Sequence, residues 1–190
     1  MRYHNITKDD MKNGPGLRTV LWVAGCDHHC KGCQNPETWD PEGGLEFDLE
    51  AEDELFGYLS ADYCSGLTLS GGDPLYFENR VGTRRICYIF RCTYGYDKDI
   101  WLYTGYTMGR LEKLRTADKV LDDILRMVDV VVDGPYIEEQ RNISRFWVGS
   151  DNQELWKQDF KTGLFHKMPK EYLKSLSEEQ HESEKGCCDG

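Results

Sequence analysis

Three cysteines stand close together in the stretch GCDHHCKGCQNPETW. Cys26, Cys30 and Cys33 are separated by three residues and then by two, which is the pattern CxxxCxxC. A structural zinc site needs a fourth ligand, for which His28 and His29 are candidates, although each lies between two cysteines in a very short loop. A cluster of four irons and four sulfides differs, because three thiolates hold three irons and the fourth iron stays open to a substrate. The spacing therefore favours the cluster and leaves zinc as the alternative.

The composition limits the classes of partner and compartment. The chain has 190 residues, enough for one domain with a substantial core, and 34 Asp and Glu against 23 Lys and Arg give a net charge of −11. Nucleic acids and anionic membrane surfaces require clustered cations, so neither is an expected partner. No apolar stretch is long enough to span a bilayer, and the first residues lack the apolar core of a secretory signal. A reducing, cytoplasmic location is expected, where eight cysteines are metal ligands or free thiols.

The hydrophobic pattern predicts strands that alternate with helices. Helices are expected at 47–60, with Asp48 as the N-cap, within 77–92, and at 117–128. Strands are expected at 17–25, 66–70, 100–104 and 129–136, and two further short strands around a polar turn at 145–156. This alternation indicates an α/β fold with a parallel sheet.

Polar or glycine-rich loops follow the predicted strands. In parallel sheets the ligand site gathers at the carboxyl ends of the strands. We therefore expect one rim to hold the cysteines and the segments Gly71 to Asp73, Thr104-Gly105 and Asp133-Gly134. Glycines let the backbone approach a ligand closely, and a carboxylate at Asp73 accepts hydrogen bonds either from a ligand ammonium or from the next helix.

Several ordered motifs resemble one known family. CxxxCxxC after a first strand is similar to the cluster motif of radical S-adenosylmethionine enzymes. Within that superfamily, NGPGLRTVLWVAGC followed by HxCxGCxNPETW resembles the glycyl-radical activating proteins of anaerobic ribonucleotide reductases. Together the matches run from about residue 1 to 155, and the ordered set is far more specific than the bare cysteine pattern. The further matching pieces are LSGGDPL (69–75), IWLYTGY (100–106), VDGPYIEE (132–139) and GSDNQ (149–153).

The resemblance implies a fold, a reaction and partners. It implies a partial (β/α) barrel with the helices outside, and a 4Fe-4S cluster whose open iron binds S-adenosylmethionine. Reductive cleavage then yields a 5′-deoxyadenosyl radical, which removes a hydrogen atom from a glycine of the reductase large subunit and leaves a glycyl radical. An electron donor such as flavodoxin or ferredoxin is also implied. The core domain is expected at 1–156, followed by a polar, partly disordered extension at 157–190.

The resemblance also assigns roles to individual residues. Beyond the three cysteines as cluster ligands, the expected contacts to S-adenosylmethionine are Gly32, Cys33 and Gln34 to the adenosyl part, Gly71, Gly72 and Asp73 to the methionine amino group, and Thr104 and Asp133 to ribose or methionine. Two positions depart from the family pattern. Gln34 stands where relatives often have an aromatic residue, and Val148 stands where an arginine is expected, although Arg145 is near.

The remaining reactive residues have simpler explanations. We expect core packing for Cys64, Cys87 and Cys92 rather than a second cluster, and inert or redox-active exposed thiols for Cys187 and Cys188. Arg18 either contacts the cluster or substrate, or forms a structural salt bridge. An aromatic docking face is one hypothesis, with core packing as the simpler explanation, for Trp39, Tyr136, Trp147 and Trp156.

Two other functions compete with the activating protein. A radical enzyme of the modified-base type would act on a small molecule and would turn over without a protein partner. A non-catalytic zinc-binding interaction module would be colourless and would give the segment Gly71 to Asp73 no role.

Overall fold

The computed structural model describes residues 1–169, and these residues form one mixed α/β unit around a single sheet. Its strands are β1 (Arg2–Asp10), β2 (Leu17–Val23), β3 (Leu45–Glu46), β4 (Cys64–Gly71), β5 (Asp99–Tyr103), β6 (Val130–Asp133), β7 (Glu154–Asp159) and β8 (Leu164–Lys167). Its α-helices are α1 (Leu49–Leu59), α2 (Arg80–Tyr94), α3 (Met108–Leu114) and α4 (Lys119–Leu125), with short 3-10 helices at Pro36–Thr38 and Glu138–Gln140.

The sheet is parallel in its centre and antiparallel at both sides. Its strand order is β3-β1-β2-β4-β5-β6-β7-β8, and β2, β4, β5 and β6 pair in parallel. Four of the seven pairings, all outside this centre, are antiparallel. The prediction of a parallel sheet is therefore wrong for the flanking strands. Short connections such as the one between β7 and β8 permit only antiparallel pairing, whereas the central strands are linked by helical crossovers.

The two faces of the sheet are covered differently, because side chains alternate along each strand. On one face Leu67, Leu69 and Leu102 join the main core with side chains from all four helices. On the other face Trp101, Val130, Val132 and Leu155 pack with Trp147 and Met168 in a smaller cluster. All four helices thus pack on the first face, which leaves the second face to form one wall of a cavity.

Most predicted elements are confirmed in place, with boundary shifts of a few residues. Asp48 caps α1, as expected, by accepting a hydrogen bond from the Ala51 amide at 3.0 Å. The prediction of two strands within 145–156 is wrong: residues 145–149 contain no strand, and a strand begins only at Glu154. The sheet continues through β7 and β8 past residue 156, the expected end of the core domain. Residues 170–190, with Cys187 and Cys188, lie outside the described residues.

Arg18 forms the structural salt bridge that was one of its two predicted roles. Its guanidinium is fully buried and lies 2.6 Å from the Asp99 carboxylate. It also donates to the Thr68 hydroxyl at 2.8 Å and to the Leu67 carbonyl at 3.0 Å, and it lies over the Trp101 ring. Arg18, near the start of β2, therefore joins the middle of β4 to the start of β5.

Candidate functional site

A cavity of about 480 Å³ connects the cysteines with the second face of the sheet. A volume of this size falls within the usual range for small-molecule sites, about 300–1,000 Å³. Seven of the predicted site residues line it: Cys26, Cys30, Cys33, Gln34, Gly71, Gly72 and Thr104. The sheet contributes Trp22, Ser70 and Tyr103, the turn between β1 and β2 contributes Lys12 and Asn13, and further walls come from Arg145, Trp147, Val148 and Gly149.

The cysteines lie in an irregular loop after β2, here called the cysteine loop (residues 26–33). Backbone hydrogen bonds from Cys26 to Trp39 (3.1 Å) and from Cys33 to Cys30 (3.1 Å) shape it. Burial, together with the nearby charge of Asp73, raises the pKa of Cys26 to about 12, and burial also raises the pKa of Cys30. A bound cationic metal centre would favour the thiolates of these two cysteines.

Asp73 is fully buried and accepts four hydrogen bonds. Its Oδ2 accepts from His28 Nε2 at 2.7 Å, from the Thr104 hydroxyl at 2.9 Å and from the Gly105 amide at 3.0 Å. Its Oδ1 accepts from the Leu75 amide at 2.8 Å. Both oxygens of the carboxylate are thus satisfied by protein donors, with three donors on Oδ2 and one on Oδ1. Asp73 therefore connects the cysteine loop to the ends of β4 and β5.

Gly71 and Gly72 line the cavity, as expected, but close backbone packing also demands glycine there. Gly71 has a φ of +99°, and a Cβ on it would lie 2.7 Å from the Val23 amide nitrogen. A Cβ on Gly72 would lie 2.5 Å from the Gly25 carbonyl oxygen. Side chains at these two positions would thus push β4 and the following turn away from β2.

Three predicted contact residues do not line the cavity. Asp73 is fully buried behind three of its partners that do line the cavity (His28, Thr104 and Gly105), and Gly32 lies beside the Glu138 side chain. Asp133 is also buried; it accepts hydrogen bonds from the Met108 amide (2.6 Å) at the start of α3 and from the Glu154 amide (3.1 Å). Burial raises the pKa of Asp133 against the opposing effect of these amides. Contacts from these residues to S-adenosylmethionine remain predictions.

Sequence analysis missed several residues of the cavity wall. Tyr103 is the clearest example: its hydroxyl is buried without a hydrogen-bond partner in the described part of the chain. Such a group is normally satisfied by a ligand or water, so the wall suits a partly polar occupant. The alternation of β5 indicated the face on which Tyr103 lies, but only the fold shows that this face borders a cavity. Arg145 also lines the cavity, where it pairs with Glu154 at 3.3 Å and the Asp151 carbonyl at 2.8 Å.

The two histidines of the cysteine loop have partners other than a metal. The hydrogen bond and charge of Asp73 outweigh the effect of burial, so the pKa of His28 is raised. The His29 ring packs edge-on against Trp39, with the centroids 5.0 Å apart. Within residues 1–169 no three His, Cys, Asp or Glu side chains converge to hold a single metal ion.

The other cysteines and aromatic residues mostly serve packing. Cys64 and Cys87 are buried, which confirms their predicted role, whereas Cys92 is exposed and that prediction is wrong. Of the four aromatic docking candidates, Trp147 is buried in the smaller cluster and Trp156 packs against the main core. Trp39 and Tyr136 are partly buried and line the cavity. In the described part of the chain, no helix is both long and apolar enough to cross a membrane.

Comparison with known proteins supports the cluster. Residues 12–156 match the family described as a 4Fe-4S single cluster domain. The chain is 42% identical over 156 residues to the anaerobic ribonucleoside-triphosphate reductase-activating protein of Enterobacteria phage T4, covering 82% of this chain and 94% of the relative. The proteins of the same name from Vibrio cholerae serotype O1 and Escherichia coli K12 are 40% and 36% identical, and the matches cover 82% and 80% of this chain and 97% and 96% of those proteins.

Proposed function

Because the chain belongs to the family of anaerobic ribonucleoside-triphosphate reductase-activating proteins, we propose that it installs a glycyl radical on a cognate anaerobic ribonucleotide reductase. The observation that carries this proposal is the meeting of Cys26, Cys30 and Cys33 with the ends of β4 and β5 around one cavity. We assign the protein to the radical S-adenosylmethionine oxidoreductases, with the central strands as part of a partial barrel. The reductase large subunit is the protein substrate, and a flavodoxin or ferredoxin is the electron donor, in the cytoplasm.

The three cysteines would hold a 4Fe-4S cluster and leave one iron without a protein ligand. When bound, the cluster and S-adenosylmethionine would supply one electron and a carbon-centred radical that removes a hydrogen atom from a glycine of the reductase. The donor set fits, since the three thiols border one cavity, and His28, which also lines it from the same loop, is already held by Asp73 at 2.7 Å.

The protein's own residues would bind the ligand, orient it and shield it from water. Gly71 and Gly72 present backbone groups to the cavity beside the cysteines, suited to a ligand with amino and carboxylate groups. Thr104 lines the cavity, and its hydroxyl donates to Asp73, so its position is fixed before a ligand arrives. Aromatic side chains from several elements would exclude water from a reactive intermediate: Trp22, Trp39, Tyr103, Tyr136 and Trp147.

Anaerobic reconstitution tests this function directly. Wild-type protein with iron, sulfide and reductant should turn brown, give a reduced-cluster EPR signal that changes on adding S-adenosylmethionine, and produce a glycyl radical signal on the reductase. Cys30→Ala should abolish all three effects, whereas the matched control Cys87→Ala removes a buried thiol of the helix-covered core and should retain them. A colourless protein with stoichiometric zinc, or a loaded protein that leaves the reductase without a radical, would contradict the proposal.

A further inference from the structure

We propose that His28 is a positioning residue, which holds the cysteine loop against the carboxyl ends of β4 and β5 through Asp73. The inference rests on the proposed function only in that the loop is taken to carry the cluster. The His28 imidazole lies between Cys26 and Cys30 in sequence and extends to a carboxylate 45 residues away, with Nε2 2.7 Å from Asp73 Oδ2.

The acceptor of this contact is itself fixed. Asp73 is fully buried, and its carboxylate is held by the Leu75 and Gly105 amides and by the Thr104 hydroxyl. Two of these donors belong to the backbone and cannot rotate away. The carboxylate therefore presents Oδ2 to His28 in one orientation, so the hydrogen bond defines where the loop lies relative to the strand ends.

The neighbouring residues are shaped around the imidazole. Tyr106 contacts it edge-on, with the ring centroids 4.7 Å apart. A Cβ on Gly105 would lie 2.3 Å from His28 Cδ2 and 2.7 Å from Nε2, closer than real Cβ atoms approach other atoms. The absence of a side chain at Gly105 thus leaves the space that His28 fills. Asp73, Gly105 and Tyr106 together form a recess for one histidine.

Few other contacts hold the loop, and they include the backbone hydrogen bond from Cys26 to Trp39 at 3.1 Å and a hydrogen bond from the Tyr136 backbone to the Cys30 thiol. The structure describes the whole cysteine loop, and the one backbone hydrogen bond within it joins Cys33 to Cys30. Lys31 pairs with Glu138 and Glu139, but its side chain is 78% exposed, and pairs of this kind add little stability. The His28 side chain is only 14% exposed. The contact of His28 with Asp73 is therefore a stronger side-chain constraint on the loop than the pairs of Lys31.

The experiment uses two independent ways of removing the imidazole from its recess. His28→Ala deletes the ring, and Gly105→Ala fills the recess without altering His28 or Asp73. His28→Gln is the conservative variant, because its amide nitrogen reaches about as far as Nε2 and donates a hydrogen bond to Asp73. The matched controls are Gly109→Ala, where a Cβ meets nothing within 4 Å, and His29→Asn, in the same loop at a φ of 46° that asparagine tolerates.

Two readouts separate this inference from the proposed function. In cluster-free protein, hydrogen exchange of the peptide covering 26–33 should be faster in His28→Ala and Gly105→Ala, and unchanged in both controls. In reconstituted protein, iron release to a chelator should be at least about tenfold faster in these two variants, as is typical when groups that orient metal ligands are removed. His28→Gln should restore both rates most of the way to wild type.

Each possible result of these measurements either supports or overturns the role proposed for His28. Wild-type exchange and iron-release rates in both His28→Ala and Gly105→Ala would overturn the inference, as would a His28→Gln protein no better than His28→Ala. If His28→Ala fails to fold, Gly105→Ala and His28→Gln decide by the same readouts. If wild-type protein takes up no cluster, the proposed function fails, whereas hydrogen exchange of the cluster-free loop still tests the role of His28.

Discussion

Replacing Asp73 should destabilise the protein even when no cofactor is bound. Asp73→Ala removes the acceptor of the Leu75 amide, which is fully buried, and of the Gly105 amide, which is half-buried beside the cavity. A buried donor left unpaired costs about 1–3 kcal/mol; the Leu75 amide carries this cost in full, and the Gly105 amide adds at most the same again. The Thr104 hydroxyl and His28 can reorient, and we assign them no additional cost. The loss is large against the total stability of a domain, about 5–15 kcal/mol.

Asp73→Asn tests the two carboxylate oxygens separately. Asparagine keeps the shape of the side chain and one acceptor, which can serve the Leu75 amide. Its NH2 group then faces the donors from His28, Thr104 and Gly105, so the cost of the unpaired Gly105 amide remains, at most about 3 kcal/mol because this amide is half-buried. The alanine variant should therefore be the less stable of the two.

Urea unfolding of cluster-free protein measures both losses, as a lower midpoint with an unchanged slope. Asp53→Asn is the matched control, because Asp53 is exposed on α1 and a surface substitution of this kind changes stability by no more than about 0.5 kcal/mol. If Asp73→Ala unfolds within about 0.5 kcal/mol of wild type, the four hydrogen bonds do not stabilise the native state and Asp73 is not the structural link described above.

Three further perturbations have expected outcomes. Arg18→Lys keeps the charge but loses the planar fork that serves several acceptors at once, so urea unfolding should show a loss of about 1–3 kcal/mol; an unchanged midpoint would count against the buried network. Cys87→Ala leaves a small cavity in the main core and should cost about 1–2 kcal/mol by the same assay while iron content stays at the wild-type value; lost iron would place Cys87 at the metal centre. The Leu121 amide and then Arg80 lower the pKa of Asp118, so the ionised carboxylate stabilises the folded protein above about pH 4, and this contribution is lost as the pH falls below that value. The difference in unfolding free energy between wild type and Asp118→Asn should therefore shrink over the same range, and a constant difference would contradict this.

Local patterns in the sequence predicted much of the fold. Helix α1 was predicted from its apolar spacing and from the Asp48 cap, both of which depend on residues within one or two turns. The central strands were predicted from continuous apolar runs, and the CxxxCxxC spacing identified the cysteines because a cluster requires thiolates in one short segment. The antiparallel flanks were missed, since β1 is largely polar, β8 has only four residues, and both owe their conformation to pairing with neighbouring strands.

The site was predicted only in part from the sequence, for a related reason. Loops after the central strands had to meet at one rim, because parallel strands end on the same side, and Cys26, Gly71 and Thr104 do line one cavity. The sequence could not show that Asp73 is buried behind the wall of that cavity, nor that it joins His28 to Thr104. Those hydrogen bonds connect residues 31 and 45 positions apart, and their geometry depends on how β4 and β5 lie side by side. The sequence alone therefore determined the elements and motifs that depend on residue type and short spacing, whereas tertiary packing decided the direction of each buried polar side chain.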